Sequence, residues 1–117
     1  MDSHPKIIPS PPSAHGEPLS DEAMEVVAAM LKVLADPNRL RLLELLDQRG
    51  SATVSALAAC LPVCHAGVSA QLNTLLNAGV VRRRREGKWM RYELADFTGL
   101  WLVRQLASAM DPVATAA

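Results

Sequence analysis

Aromatic side chains are nearly absent from this chain of 117 residues, which holds two Trp, one Tyr and one Phe. A core must therefore be aliphatic, and the hydrophobic half of the composition is mostly Ala, Leu and Val, the balance of a helical protein of one small domain. Net charge is absent too, since twelve basic residues match twelve acidic ones. Whole-chain charge thus argues for no polyanionic partner. No stretch is long or apolar enough to span a bilayer, and the N-terminus lacks the apolar core of a signal peptide. A cytoplasmic protein with Cys60 and Cys64 reduced is the expectation. Also missing are a Ser/His/Asp pattern, a glycine-rich phosphate loop and a paired-His motif. With His65 the sole histidine of the region expected to fold, general acid–base chemistry has no partner set, and an enzyme is not expected.

What is present is an uneven distribution. Arg82, Arg83, Arg84, Arg85, Lys88 and Arg91 are six of the twelve basic residues and fall within ten positions. From Ser51 to Val81, by contrast, there is no Asp, Glu, Lys or Arg. Residues 1–19 carry Pro5, Pro9, Pro11, Pro12 and Pro18 among few apolar residues, which predicts a disordered arm, with His4 and His15 as passengers. Ser20 is a good helix cap with Asp21 and Glu22 in the first turn, and Met24, Val27, Ala28, Leu31 and Leu34 follow at helical spacing. Asp36-Pro37 opens a second helix with Leu40, Leu43 and Leu45 or Leu46 inward, stopping at Gly50. Ala52 and Thr53 suit a brief strand. A short helix over Val54 to Leu61 and, after Pro62-Val63, another capped by Cys64 and ended by Gly79 come next. Val80 to Arg85 and Lys88 to Leu94 read as strands around a Glu86-Gly87 turn. Asp96 can cap a last helix with a Leu100, Val103, Leu106, Met110 stripe, and residues 111–117 read as a loose tail.

The fold class implied is mainly α (α+β): a winged helix-turn-helix of five helices and a two-stranded β-ribbon wing, spanning residues 20–110. In that arrangement the second helix of the pair enters the major groove of double-stranded DNA. Its outward positions are His65, Ala66, Ser69, Ala70 and Asn73, with Gln71 on the flank. Asn and Gln match adenine edges, and Ser donates or accepts. Phosphate contacts then fall mainly to the ribbon, to Arg83, Arg84, Arg85, Lys88 and Arg91, helped by Arg39, Arg41 and Arg49. Because a strand alternates its faces, only two or three of the ribbon cations should meet one duplex. A solvated basic strand pair is the plain alternative.

Cys60 and Cys64 admit three readings. They could hold a thiophilic metal or metalloid ion with His65 as third ligand, although Pro62 interrupts the helical spacing. They could close a disulfide, Cys64 being activated at a helix N-terminus. Or Cys60 is a small packed residue and Cys64 replaces a capping Ser.

Leu34-Ala35-Asp36-Pro37-Asn38-Arg39-Leu40-Arg41-Leu42-Leu43, then Val68-Ser69-Ala70-Gln71-Leu72, and then Arg85-Glu86-Gly87-Lys88-Trp89-Met90-Arg91-Tyr92-Glu93-Leu94 resemble the ArsR/SmtB family of bacterial repressors over about Asp21 to Met110. The resemblance implies a homodimer built on the first and last helices. It also implies operator binding that blocks transcription until an inducer releases the protein. Common sensing sites of the family do not carry over: Leu42 to Leu46 holds no Cys-x-Cys pair, and no histidine follows Asp96. A repressor without an effector, or a protein-interaction module that kept the fold, are the rival readings.

Overall fold

Two adjacent residues set the first corner of the chain. Asp36 Oδ1 accepts from the backbone N–H groups of Asn38 at 2.8 Å and Arg39 at 3.3 Å, and Pro37 fills the first helical position, where no N–H is needed. Before this corner runs α1 (Asp21–Leu34), capped by Ser20 Oγ, which accepts from Ala23 N at 3.1 Å. After it runs α2 (Pro37–Arg49), closed by Gly50 at φ +80°, a conformation that glycine adopts without strain. The computed structural model describes residues 16–110. The expected arm (1–19, with His4 and His15) thus falls mostly outside the described residues, and the expected tail (111–117) entirely so.

Thr53 ends the brief strand β1 (Ala52–Thr53) and caps α3 (Val54–Ala58), its Oγ1 accepting from Ala56 N at 3.2 Å. This helix stops three residues short of the expected Leu61, ahead of the turn that Pro62 enforces. Then come α4 (His65–Asn77), β2 (Val81–Glu86), β3 (Trp89–Leu94) and α5 (Thr98–Met110). Asp96 Oδ1 accepts from Thr98 N at 2.9 Å at the head of α5. The hairpin loop is Gly87-Lys88, one residue later than the sequence suggests, because Gly87 takes the left-handed φ of +63° as the first loop residue. The antiparallel sheet has the order β1-β3-β2, so the ribbon gains a third short strand through Ala52↔Tyr92 and Thr53↔Arg91.

One aliphatic core joins these elements. Leu42, Leu43 and Leu46 of α2, Leu57 of α3, Val68, Leu72 and Leu75 of α4, and Val81, Tyr92 and Leu94 of the sheet are buried together. The apolar stripes expected on α1 and α5 are largely uncovered by the rest of the chain. On α1 only Leu34 is buried, while Met24, Val27 and Leu31 are each about half exposed, at 55%, 48% and 51%. On α5 Leu100 is buried, but Leu106 and Met110 are exposed. Periodicity establishes that a helix has an apolar face; it does not establish that the same chain covers it. No helix among the described residues is long and apolar enough to cross a membrane.

Partial burial pushes the Asp36 carboxyl up, but the Arg39 and Asn38 N–H groups, the Gln71 amide and the Arg39 charge outweigh it and hold Asp36 below its ordinary 3.8. A depressed carboxyl stabilises the fold above its unfolded value, and that contribution is lost as pH falls through the folded one. Asp36→Asn should therefore lose stability at neutral pH and decline less steeply in acid than the parent. Urea unfolding at about pH 7 and about pH 3 checks this, and parallel acid declines would show that Asp36 does not contribute.

Candidate nucleic-acid interface

The inward face of α4 decides its outward face. Val68, Leu72 and Leu75 are fully buried, so Ala66, Ala70 and Asn73 form a stripe on the opposite side, with His65 exposed beside it and Ser69 half-buried. The expected outward group is thus brought onto one surface, apart from Gln71. Gln71 is half-buried, and its amide binds the α1–α2 corner: Oε1 accepts from Arg39 Nη1 at 2.8 Å and Nε2 donates to Asp36 Oδ2 at 3.4 Å. Both polar atoms of the Gln71 amide are thus engaged within the fold.

The wing sorts its cations by strand alternation. Register pairs Arg82↔Glu93, Arg84↔Arg91 and Glu86↔Trp89 on one face, and Val81↔Leu94, Arg83↔Tyr92 and Arg85↔Met90 on the other. On the first face Glu93 accepts from Arg82 Nε at 2.9 Å and from Arg84 Nε at 3.1 Å, and Arg84 Nη1 reaches Glu86 at 2.8 Å. The Arg82 and Arg84 guanidiniums hold the Glu93 carboxyl below its ordinary range. Arg91 is half-buried and donates to Ser51 Oγ at 3.0 Å and Ser51 O at 3.2 Å. Arg84 and Arg91, expected to meet phosphate, are therefore engaged within the fold. Arg83 and Arg85 are exposed and have no ion-pair partner among the described residues. At the tip, Lys88 Nζ lies 5.7 Å from the ring centre of the exposed Trp89. The sequence reading missed Trp89, as well as Glu93 as the partner of two arginines. The register of a hairpin centred on Gly87-Lys88 would have found the second.

Cys60 and Cys64 are both exposed and free. Cys60 follows α3; its Sγ lies 3.0 Å from Arg49 Nη2 and 3.6 Å from Ala56 O. Cys64 stands at the N-cap of α4 without a side-chain capping bond, so it does not replace a serine there. Among the described residues no three His, Cys, Asp or Glu side chains come together as an ion would require. The expected triad of Cys60, Cys64 and His65 is therefore not assembled among the described residues. The Leu61-Pro62-Val63 turn breaks the helical spacing, Cys60 is turned back toward α3 and Arg49, and His65 lies on the exposed first turn of α4.

A family model described as a helix-turn-helix domain matches residues 34–84. A transcriptional repressor SmtB homolog of Synechocystis is 37% identical over 95 residues, covering 81% of this chain and 71% of the relative. A homodimeric winged helix-turn-helix DNA-binding domain from Mycobacterium bovis, a possible ArsR-family regulator, superposes with a TM-score of 0.67 at 31% identity, covering 82% of this chain and 91% of that one. The chain belongs to the ArsR/SmtB family. The crystal structure of the antimony-specific repressor AntR is similar to this ArsR/SmtB chain as well. It has a TM-score of 0.71 and 32% identity over 86% of this chain and 89% of that chain. An ArsR/SmtB protein is a DNA-binding transcriptional repressor and not an enzyme. In this member of the family the wing carries Arg83 and Arg85 without ion-pair partners among the described residues, and α4 presents uncharged groups.

Phosphate binding displaces counterions in proportion to the charges that engage. Replacing Arg83 and Arg85 together with Ala should reduce the slope of log affinity against log salt by about 2. Replacing Arg82 and Arg84 should reduce it less, since Glu93 and Glu86 already match their charge. Equal reductions in a duplex-binding titration would contradict the sorting.

Proposed function

We propose that this ArsR/SmtB repressor works in the cytoplasm as a homodimer, joined through α1 and α5, and binds a near-palindromic operator. Each α4 reads a half-site through His65, Ala66, Ser69 and Asn73, and Arg83, Arg85 and Lys88 of the wing hold phosphate. Half-sites then lie about 34 Å apart, one duplex turn. The carrying observation is the pairing of an uncharged outward helix face with a wing whose unpaired cations lie beside it on the same core. Dimerisation is supported by the apolar groups left exposed on the two helices concerned: Met24, Val27 and Leu31 on one, Trp101, Leu106 and Met110 on the other.

An inducer acting on Cys60 and Cys64 would end repression. The two thiols bracket the turn into α4, so any bond joining them pulls on the first turn of the reading helix. Their exposure supports modification, and the lack of a third converging ligand among the described residues favours a two-thiol product over a three-ligand ion site. That product is either a disulfide or a soft metalloid bridged by two sulfurs. The antimony-specific relative makes the metalloid the second candidate.

A mobility-shift assay on the duplex upstream of the protein's own gene should show binding by the parent. Peroxide or a soft metalloid should release it, whereas Cys60→Ser and Cys64→Ser proteins should stay bound. Unchanged release in those variants would end the thiol reading. Failure of the parent to bind any duplex at low salt would favour a protein-interaction module. Leu31→Glu should sediment as a monomer, and a persistent dimer would place the interface elsewhere.

A further inference from the structure

The exposed part of α4 has no charged side chain with which to orient itself on the phosphate backbone. Its outward groups are also short, so base contact requires close approach at a fixed angle. Something inside the protein must therefore set that angle. One guanidinium is placed to do so. Arg39 Nε donates to Val33 O at 2.6 Å, its Nη2 to Lys32 O at 3.4 Å, and its Nη1 to Gln71 Oε1 at 2.8 Å. The two carbonyls belong to the last turn of α1, and Lys32 O also accepts from Ala35 N, so the guanidinium adds to the closure of that turn. Gln71 lies midway along α4, and its Nε2 donates to Asp36 Oδ2, the carboxylate that also caps α2. Arg39 has its side chain only 18% exposed, so this network is less open to screening by salt than the pairs on the wing.

We infer that Arg39 and Gln71 are positioning residues for DNA reading: together they lock α4 to the C-terminal end of α1. Gln71 acts on the operator through Arg39 and Asp36 and not through a base edge. The planar fork of arginine suits three acceptors in fixed directions, where a lysine can satisfy them only from a single point. Since α1 is also the helix proposed to lie at the dimer interface, the same network fixes the angle of each reading helix relative to that interface. A protein without the network keeps its core but presents α4 over a range of angles. It should lose affinity for its preferred sequence while retaining its wing-dependent affinity for any duplex.

This inference rests on the reading of α4 as the DNA-contacting helix, and the test separates the two. The parent full-length protein first selects its preferred duplex from a randomised library. Fluorescence anisotropy then compares that duplex with a scrambled one for the parent and for Gln71→Leu, Gln71→Glu, Arg39→Lys, Asn73→Ala and the double Gln71→Leu/Arg39→Lys protein. Gln71→Leu and Arg39→Lys should each lose about tenfold on the selected duplex, the scale of one charge-assisted hydrogen bond, and little on the scrambled one. Both should reselect the parental sequence. The double variant should lose about as much as the worse single, because the residues act as one unit. Gln71→Glu keeps the acceptor for Arg39 and should lose less than Gln71→Leu, which preserves the test if the leucine variant folds poorly. Asn73→Ala should change the selected sequence at a discrete position. A changed sequence for Gln71→Leu, equal losses on both duplexes, or parental binding by the Gln71 and Arg39 variants would overturn the inference alone. A parent protein that selects no sequence would overturn it together with DNA reading by α4.

Discussion

Burial of three residues on α4 is the constraint on which the rest of the interface depends. Val68, Leu72 and Leu75 are fully buried among Leu42, Leu43, Leu46 and Leu57. Full burial of such side chains stabilises by about 1.5–3 kcal/mol each, enough to forbid rotation of the helix about its axis. The wing is tied to the same core by Val80, Val81, Tyr92 and Leu94. The α4 helix and the wing are therefore two outward surfaces of one packed interior, which fixes the face that each presents.

Much of this was legible in the residues. Ser20, Asp36-Pro37, Gly50 and Gly79 mark element ends by local chemistry that operates regardless of tertiary context, and the structure places them as caps and stops. The stripe on α4 was legible for the same reason, because helical spacing and burial agree there. What the residues left open involved a partner. The apolar faces of α1 and α5 were identified, but their exposure depends on which surface covers them. Arg84 and Arg91 looked equivalent to Arg83 and Arg85 in a run of basic residues. Their difference arises from Glu93, Glu86 and Ser51, which only register and tertiary contact bring opposite them. Gln71 looked like a base reader because its amide suits adenine; Arg39, thirty-two positions away, takes up its acceptor oxygen.

The cysteines show the same limit from another side. Spacing of four suits a common ligand on a continuous helix, but a proline-containing turn separates Cys60 from Cys64 and gives each a different neighbourhood. Cys60 lies beside Arg49, whereas Cys64 stands at the entrance to α4. The pair is unlike the family's usual sensing positions, and its location couples any thiol chemistry to the part of the molecule that faces DNA.

The separation of charge from sequence reading has a consequence for the cell. In the proposed binding mode, ion release accompanies the wing contacts wherever the protein lands, while contacts from α4 displace no counterions of their own. Changes in ionic strength should therefore alter how long the repressor dwells on the chromosome as a whole, yet leave nearly constant the ratio by which it prefers its operator over other sequence. A cell under osmotic stress would redistribute the protein between free and bound pools without blurring its choice of gene.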